Sequence, residues 1–341
     1  MPVSPASSEQ VAREILRIYL RAELVLMRAV ARRVKRGITD PGWAERKLAE
    51  VTLLRRETLS VVRDLDREMA RQVDDILRRS YELGTAAARA ELRALEREIA
   101  EKGVTTPRAI LRLIDDTVRG LHGGNQRIVR FIETAYSRII RSAAAQVVAG
   151  SQSRRDAAQG ALNAFADSGI TGFVDDAGRN WELASYAEMG VRTASGQAAI
   201  AGHLDTISSI GEDLVIVSDA PQECPLCREW EGEVLSISGR STKYYSVAEA
   251  TASGLFHPNC RHDIGLYVPG FTRPYGRTED PAGAAFRSEQ RYLERGVRRW
   301  KRREVVGDTA APGRVAEWRD RLSEHVGDGK RLPYREGLGA R

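Results

Sequence analysis

From about Gln10 to Arg36 the apolar residues Val11, Ile15, Ile18, Leu26 and Val30 fall at helical spacing, with charged residues between them. This is the spacing of one buried face of an α-helix. Gly37 and the turn Asp40-Pro41-Gly42 end it. A second run, from about Trp43 to Lys102, places Leu48, Val51, Leu54, Val62, Leu65, Met69, Val73, Ile76 and Leu83 at the same steps. Unbroken, this second helix would be roughly 90 Å long. A lone helix of that length is not stable in water and needs a partner. Either it pairs antiparallel with the first helix, or it is an arm that packs on another subunit. Thr106-Pro107 then reads as an N-cap and a first-turn proline, opening a helix to about Val118. Gly120 and Gly123-Gly124 are expected to break it, with a new helix from about Gln126 to Val148 and another from Ser153 to about Phe165.

After Gly169 the period shortens. Ile170 to Val174 reads as a short strand in a turn-rich piece. Asn180-Trp181 is expected to open a helix through Arg192, followed by a second from about Ser195 to Ile210. Asp213–Ser218, Glu233–Ser238 and Asp263–Val268 are short strands, and Ser246 caps a short helix over Val247–Ser253. A polar connector follows Pro269-Gly270. Then come a helix from Phe286 to Arg303, a linker, an amphipathic helix over Pro312–Val326 and a flexible tail. The pattern predicts an α+β fold, mostly helical. It divides into a helical arm (1–125), an α+β core with the Cys/His cluster (126–270), and a linker, basic helix and flexible tail (271–341).

Composition narrows the class. Charged residues make up 29% of the 341 and aromatics 6%, as expected of a helix-rich soluble chain. No run of 18 apolar residues occurs, so no membrane contact is expected. The first ten residues lack the charged and apolar regions of a signal peptide, which points to a reducing cytoplasm. The net charge of +6 is compatible with polyanion contact. It is concentrated in one place. Over Arg287 to Arg303 eight Arg or Lys stand against two Glu, with Tyr292, Leu293 and Trp300 as an apolar stripe. Such a helix suits DNA phosphates, without sequence preference, or an acidic protein surface.

All three cysteines lie in one stretch. Cys224-x2-Cys227 is followed by His257-x2-Cys260, with His262 two residues further on. Thiolate and imidazole are the ligands Zn²⁺ prefers, and four of them close a tetrahedral structural site. The candidate set is therefore Cys224, Cys227, His257 and Cys260, clipping two loops together. His262 reads as a surface or satisfied histidine rather than a fifth ligand; the alternative is that it replaces His257. Buried free thiols, a Cys224–Cys227 disulfide and redox chemistry are the alternatives.

Four motifs in order carry a resemblance: ASYAEMGVRT (Ala184 to Thr193), CPLCREWEGEVLSISG from Cys224, GLFHPNCRHDIGLYVPGF around His257 to Arg261, and QRYLERGVRRWKRR (Gln290 to Arg303). Together they resemble the minor capsid protein 2 group of double-stranded DNA phages, which is related to the Mu F-like head morphogenesis proteins. The resemblance runs from about Arg127 to Arg303. It implies a non-enzymatic, low-copy protein of the phage head interior, assembled in the host cytoplasm. Expected partners are the portal protein, scaffold or major capsid protein, and packaged DNA through helix 287–303. The competing reading is a zinc-containing His-Asn-His-type nuclease with His257 as base. That chemistry needs a second metal-binding residue on a following helix, whereas a strand is expected after His262.

Overall fold

The computed structural model describes residues 5–95, 107–174, 180–220, 227–258, 260–272 and 281–327. Its helices are α1 (Pro5–Lys35), α2 (Trp43–Ala49), α3 (Val51–Ala94), α4 (Arg108–Val148), α5 (Arg154–Ser168), α6 (Leu183–Ser209), α7 (Val247–Ala252), α8 (Pro281–Val305) and α9 (Ala311–Gly327). Its strands are β1 (Thr171–Val174), β2 (Asn180–Glu182), β3 (Leu214–Val217), β4 (Val234–Ser236) and β5 (Ile264–Leu266). The mostly helical α+β class is the one the pattern predicts. Two compact units form, each from three separate stretches: 1–15, 70–119 and 188–287 in one, 16–69, 120–187 and 288–341 in the other. Each unit thus draws on segments that the linear division at 125 and 270 keeps apart. The expected tail beyond Gly327 lies outside the described residues.

The second of these units is helical. Within it α1 and α3 run antiparallel. Arg33 meets Glu50 and Glu57 near the turn, and Arg21 meets Glu68 further along. The long helix therefore finds its partner in its own chain. Trp43, which opens α2, is buried and donates its indole N–H to the Val34 carbonyl, 3.0 Å away. Ile132, Tyr136, Ile140 and Leu162 bring α4 and α5 into the core. Ser153 caps α5 by accepting from Asp156 N, as its position in the sequence implies.

Three local expectations differ. The helix expected to run unbroken from Trp43 to Lys102 is divided at Glu50 into α2 and α3. Gly120, Gly123 and Gly124 do not break α4, because buried Leu121, Ile128 and Ile132 continue its apolar face across them. Glycine costs about 1 kcal/mol in a helix, which packing of that face outweighs. Asn180-Trp181-Glu182 is a strand, antiparallel to β1, and α6 then runs without interruption through Ser195.

α8 turns part of its charge onto its own unit. Arg302 is buried; its Nε donates to the Ala166 carbonyl and its Nη2 to Glu182 at 2.9 Å, with Glu23 at 3.7 Å from Nη1. Glu23 also accepts from Ile170 N. Arg299 and Arg303 both hold Asp167 on α5. Acidic partners for Arg299, Arg302 and Arg303 of this basic helix are thus supplied by its own chain. α8 and α9 share a small core of Leu293, Val297 and Leu322, with Trp318 packed against it. Gly296 is required there, since a Cβ would stand 1.9 Å from the Trp318 ring.

The first unit carries the sheet, ordered β4-β3-β5 and antiparallel throughout. Val215, Val217, Leu235, Ile264 and Leu266 pack with Ala88 and Leu92 of α3, Ile207 of α6 and Ala250 of α7. Glu91 of α3 accepts from Leu266 N at 2.8 Å, closing one free donor on the β5 edge. α3 and α6 pack backbone to backbone. A Cβ on Gly84 would stand 1.8 Å from the Ala199 carbonyl oxygen, and one on Gly202 2.1 Å from that of Tyr81. Ser80 and Ser195 share a hydrogen bond at this crossing, and Tyr81 donates to Asp205.

Candidate metal centre

Antiparallel pairing of β3 with β5 sets Val217 opposite Ile264. The segment leaving β3 and the segment entering β5 therefore lie side by side. Ser218 N donates to the Asp263 carbonyl, and Asp263 N to Ser218 Oγ, which extends the pairing past the strands. This juxtaposition gathers the chemistry-bearing residues.

Cys227 opens a single 3-10 turn, Arg228–Trp230, with Trp230 N donating back to its carbonyl. Gly232, at φ +74°, turns the chain into β4. On the other side, a capping box (Ser246 with Glu249) starts α7 and directs the chain back toward the site. Phe256 holds φ +60°, the sole non-glycine in the left-handed region among the described residues. Cys260 N then donates to the His257 carbonyl at 2.8 Å, a tight turn that presents Cys260.

The result is a group of three donors, Cys227, Cys260 and His262, whose ligand atoms all lie within 4.8 Å of one another. The two sulfurs are 3.5 Å apart, and Cys260 Sγ is 3.5 Å from His262 Nδ1. His262 Nε2 is fixed by Glu231 Oε1 at 2.7 Å. Cys227 is 0%, Glu231 1% and His262 5% exposed, so the group is closed off from solvent on these sides.

The charges are mutually arranged. The hydrogen bond from Cys227 is the main cause that pulls the Cys260 thiol down to about 4; burial opposes it and His262 adds to it. Burial opposes the charge on His262, but Cys260 and Glu231 together raise its pKa above the usual histidine range. Burial pushes the neighbouring Asp263 well above the usual carboxylate range, with Cys260 and Glu91 acting in the same direction. Cys260 thus favours the thiolate, the form that binds metals. With one ring nitrogen facing the sulfurs and the other held by a buried carboxylate, His262 has the arrangement that metal-ligating histidines adopt. The group can hold a metal ion.

Of the residues singled out by spacing, the structure brings Cys227 and Cys260 together. Cys224 lies outside the described residues. His257 is half-buried, its Nδ1 is 2.7 Å from the carbonyl of Pro258, and it is not in the three-donor group. His262 is in the group and is buried, although the sequence reads it as a surface or satisfied histidine. Glu231 was missed altogether. Strand alternation holds the signal for His262, since residues two apart on extended chain share a face. No comparable signal marks Glu231.

The family model for phage minor capsid protein 2 matches residues 3–328. The chain belongs to that family. It is also similar to a curated "Structural protein" of Lactococcus phage LL-H, 20% identical over 296 residues that cover 78% of this chain and 79% of the relative. No solved structure matches. Membership extends the resemblance of the four motifs through the helical N-terminal third. It makes the chain a minor capsid, head-morphogenesis protein of the phage virion, with a structural rather than catalytic task. The turn at His257 agrees with this, because Cys260 and His262 lead into β5 and not into the metal-binding helix that a His-Asn-His nuclease needs. No helix among the described residues is long and apolar enough to cross a membrane.

Proposed function

We propose that this minor capsid protein works inside the phage head beside the portal, near packaged DNA, after assembling in the host cytoplasm. We further propose that one structural Zn²⁺ clips its sheet-bearing unit together. Family membership over residues 3–328 supports the head role. Cross-linking of assembled heads followed by mass spectrometry tests it. Cross-links from this chain to the portal are expected, whereas cross-links confined to the outer face of the major capsid protein would overturn it.

The zinc reading rests on the spacing of the three donors. Zn–S bonds of about 2.3 Å and Zn–N bonds of about 2.0–2.1 Å at tetrahedral angles put neighbouring ligand atoms roughly 3.5–3.8 Å apart. The two closest donor pairs here are each at 3.5 Å. We assign Cys227, Cys260 and His262 as ligands and, by its place three residues before Cys227, Cys224 as the fourth. His262 takes the position that spacing alone gives to His257. Four protein ligands leave no open coordination position, so the ion's task is folding. Structural zinc sites are worth about 10 kcal/mol or more. Elemental mass spectrometry of the full chain purified without chelator should find about one zinc per chain. Cys227→Ser with Cys260→Ser should lose it; metal-free wild-type protein would sink the assignment.

A further inference from the structure

α8 commits Arg298, Arg299, Arg302 and Arg303, four of the eight basic residues of helix 287–303, to partners within its own unit, so cations elsewhere become candidates for the DNA contact expected of that helix. The chain has them on α1 and at Arg36 just past its end, where Arg36 N still donates to the Arg32 carbonyl. Arg28, Arg32 and Arg36 stand on successive turns, about 6 Å apart along the axis. With Lys35 they line an open groove of about 710 Å³, walled on its other side by Val306 and Gly307 at the end of α8. Arg28 and Arg36 are exposed and have no acidic partner among the described residues. Arg32 is largely exposed and has only a loose contact with Glu57, at 3.6 Å.

Lys35 shapes the groove. Its ammonium donates to the Val306 carbonyl at 2.8 Å, so it closes the end of α8. Gly307 has φ +86°, and a Cβ there would stand 2.3 Å from Lys35 Nζ. The groove floor therefore favours glycine at 307 for its backbone conformation, and the lysine head lies close against it.

We propose that this groove binds the phosphate backbone of nucleic acid without reading its sequence. The proposal rests on the reading of this protein as DNA-proximal. A protein interface is anchored by exposed aromatic or aliphatic side chains. Here Ala31 and Val306 are buried and Val305 is half-buried, no aromatic side chain lines the groove, and every charged side chain that lines it is a cation. A duplex carries one negative charge per roughly 1.7 Å of axis. A row of guanidinium groups then meets phosphates in any register along it.

The test measures binding of the full chain to a random-sequence duplex by fluorescence anisotropy, between about 50 and 200 mM salt. Arg28→Gln with Arg36→Gln removes two cations that hold nothing else in place. Each lost phosphate contact lowers the slope of log affinity against log salt by about 0.9. The double variant should lose close to two units of slope and bind about tenfold or more weakly at low salt, with an unchanged thermal melt. Arg291→Gln with Arg295→Gln on α8 is the comparison and should change little. Loss of binding with the α8 pair alone would overturn the groove while leaving DNA contact intact. Failure of the wild type to bind at low salt would overturn DNA contact itself. Intact DNA binding with lost portal association in the Arg28/Arg36 variant would make the groove a protein-docking surface and would also overturn the proposal.

Discussion

At the scale of single residues, the site turns on which histidine meets the sulfurs. His262→Ala should abolish zinc binding and lower the unfolding midpoint of the full chain, because it removes a donor 3.5 Å from Cys260. His257→Ala should keep about one zinc per chain, four ligands being enough for a closed site. The opposite pattern in paired metal analyses would return the assignment to His257. Glu231→Gln tests the support behind the ring. It keeps the shape but replaces the carboxylate that holds Nε2 at 2.7 Å. Outer carboxylates of this kind are worth about 10–100-fold in metal affinity. Competition with a chromogenic chelator should show a loss in that range, and unchanged affinity would remove Glu231 from the site. The cysteines were legible in the sequence because Cys-x2-Cys and His-x2-Cys are spacings with a chemical reason. The inward ring of His262 was legible only through the extended backbone from Cys260 into β5, which sets residues two apart on one face, and ligand spacing alone does not use that signal. Glu231 was invisible for a related reason: a buried acid is distinguished from the many exposed ones only by what surrounds it.

At the scale of elements, small residues have two opposite meanings. Gly84 and Gly202 mark a close crossing of α3 and α6, where added methyl groups would strike carbonyl oxygens at 1.8 and 2.1 Å. Gly84→Ala or Gly202→Ala should each destabilise by about 2 kcal/mol in urea unfolding, the overpacking cost exceeding the helix-propensity gain. Gly120 and Gly123 on α4 are exposed, with nothing within 4 Å of a built Cβ. Gly120→Ala and Gly123→Ala should therefore stabilise by about 0.5–1 kcal/mol each. The same change with opposite sign separates packing glycines from permissive ones; a neutral Gly84→Ala would refute the close crossing. In the sequence Gly120 and Gly123-Gly124 read as breaks while helices run on through Gly84 and Gly202, because composition does not say whether a neighbouring helix needs the space. The electrostatics of α8 give a further element-scale prediction. Burial opposes the charge on Asp167, yet its bonds with Arg299 and Arg303 hold its pKa below the usual aspartate range. The linked stability is therefore full above the ordinary aspartate pKa of about 4. It is lost as pH falls through that value toward the lowered folded one. In acid titrations followed by circular dichroism, Asp167→Asn should flatten this part of the wild-type decline. An identical acid limb would show that α8 is held by other contacts.

At the scale of the whole molecule, the order of segments along the chain and their grouping in space diverge. Residues 126–270 contain every strand found among the described residues, every cysteine and most of the family motifs, and they read in sequence as a core. Their fold nevertheless depends on what precedes them. Ala88 and Leu92 of α3 are fully buried against β3, β4 and β5, and Glu91 of the same helix accepts the Leu266 N–H on the sheet edge. The α3–α6 crossing supplies the other wall, through Ser80 with Ser195 and Tyr81 with Asp205. A fragment of 126–270 would expose that apolar face and leave the β5 edge unpaired, the arrangement that favours strand-to-strand aggregation. Zinc would still find its ligands, since all four assigned donors lie inside the fragment. The fragment should accordingly bind zinc yet remain aggregation-prone, with poor dispersion in its amide NMR spectrum. Supplying residues 70–95 as a separate peptide should restore protection of the β3 and β5 amides in hydrogen exchange. A well-dispersed, monomeric 126–270 fragment would mean that α3 covers the sheet without being required for it.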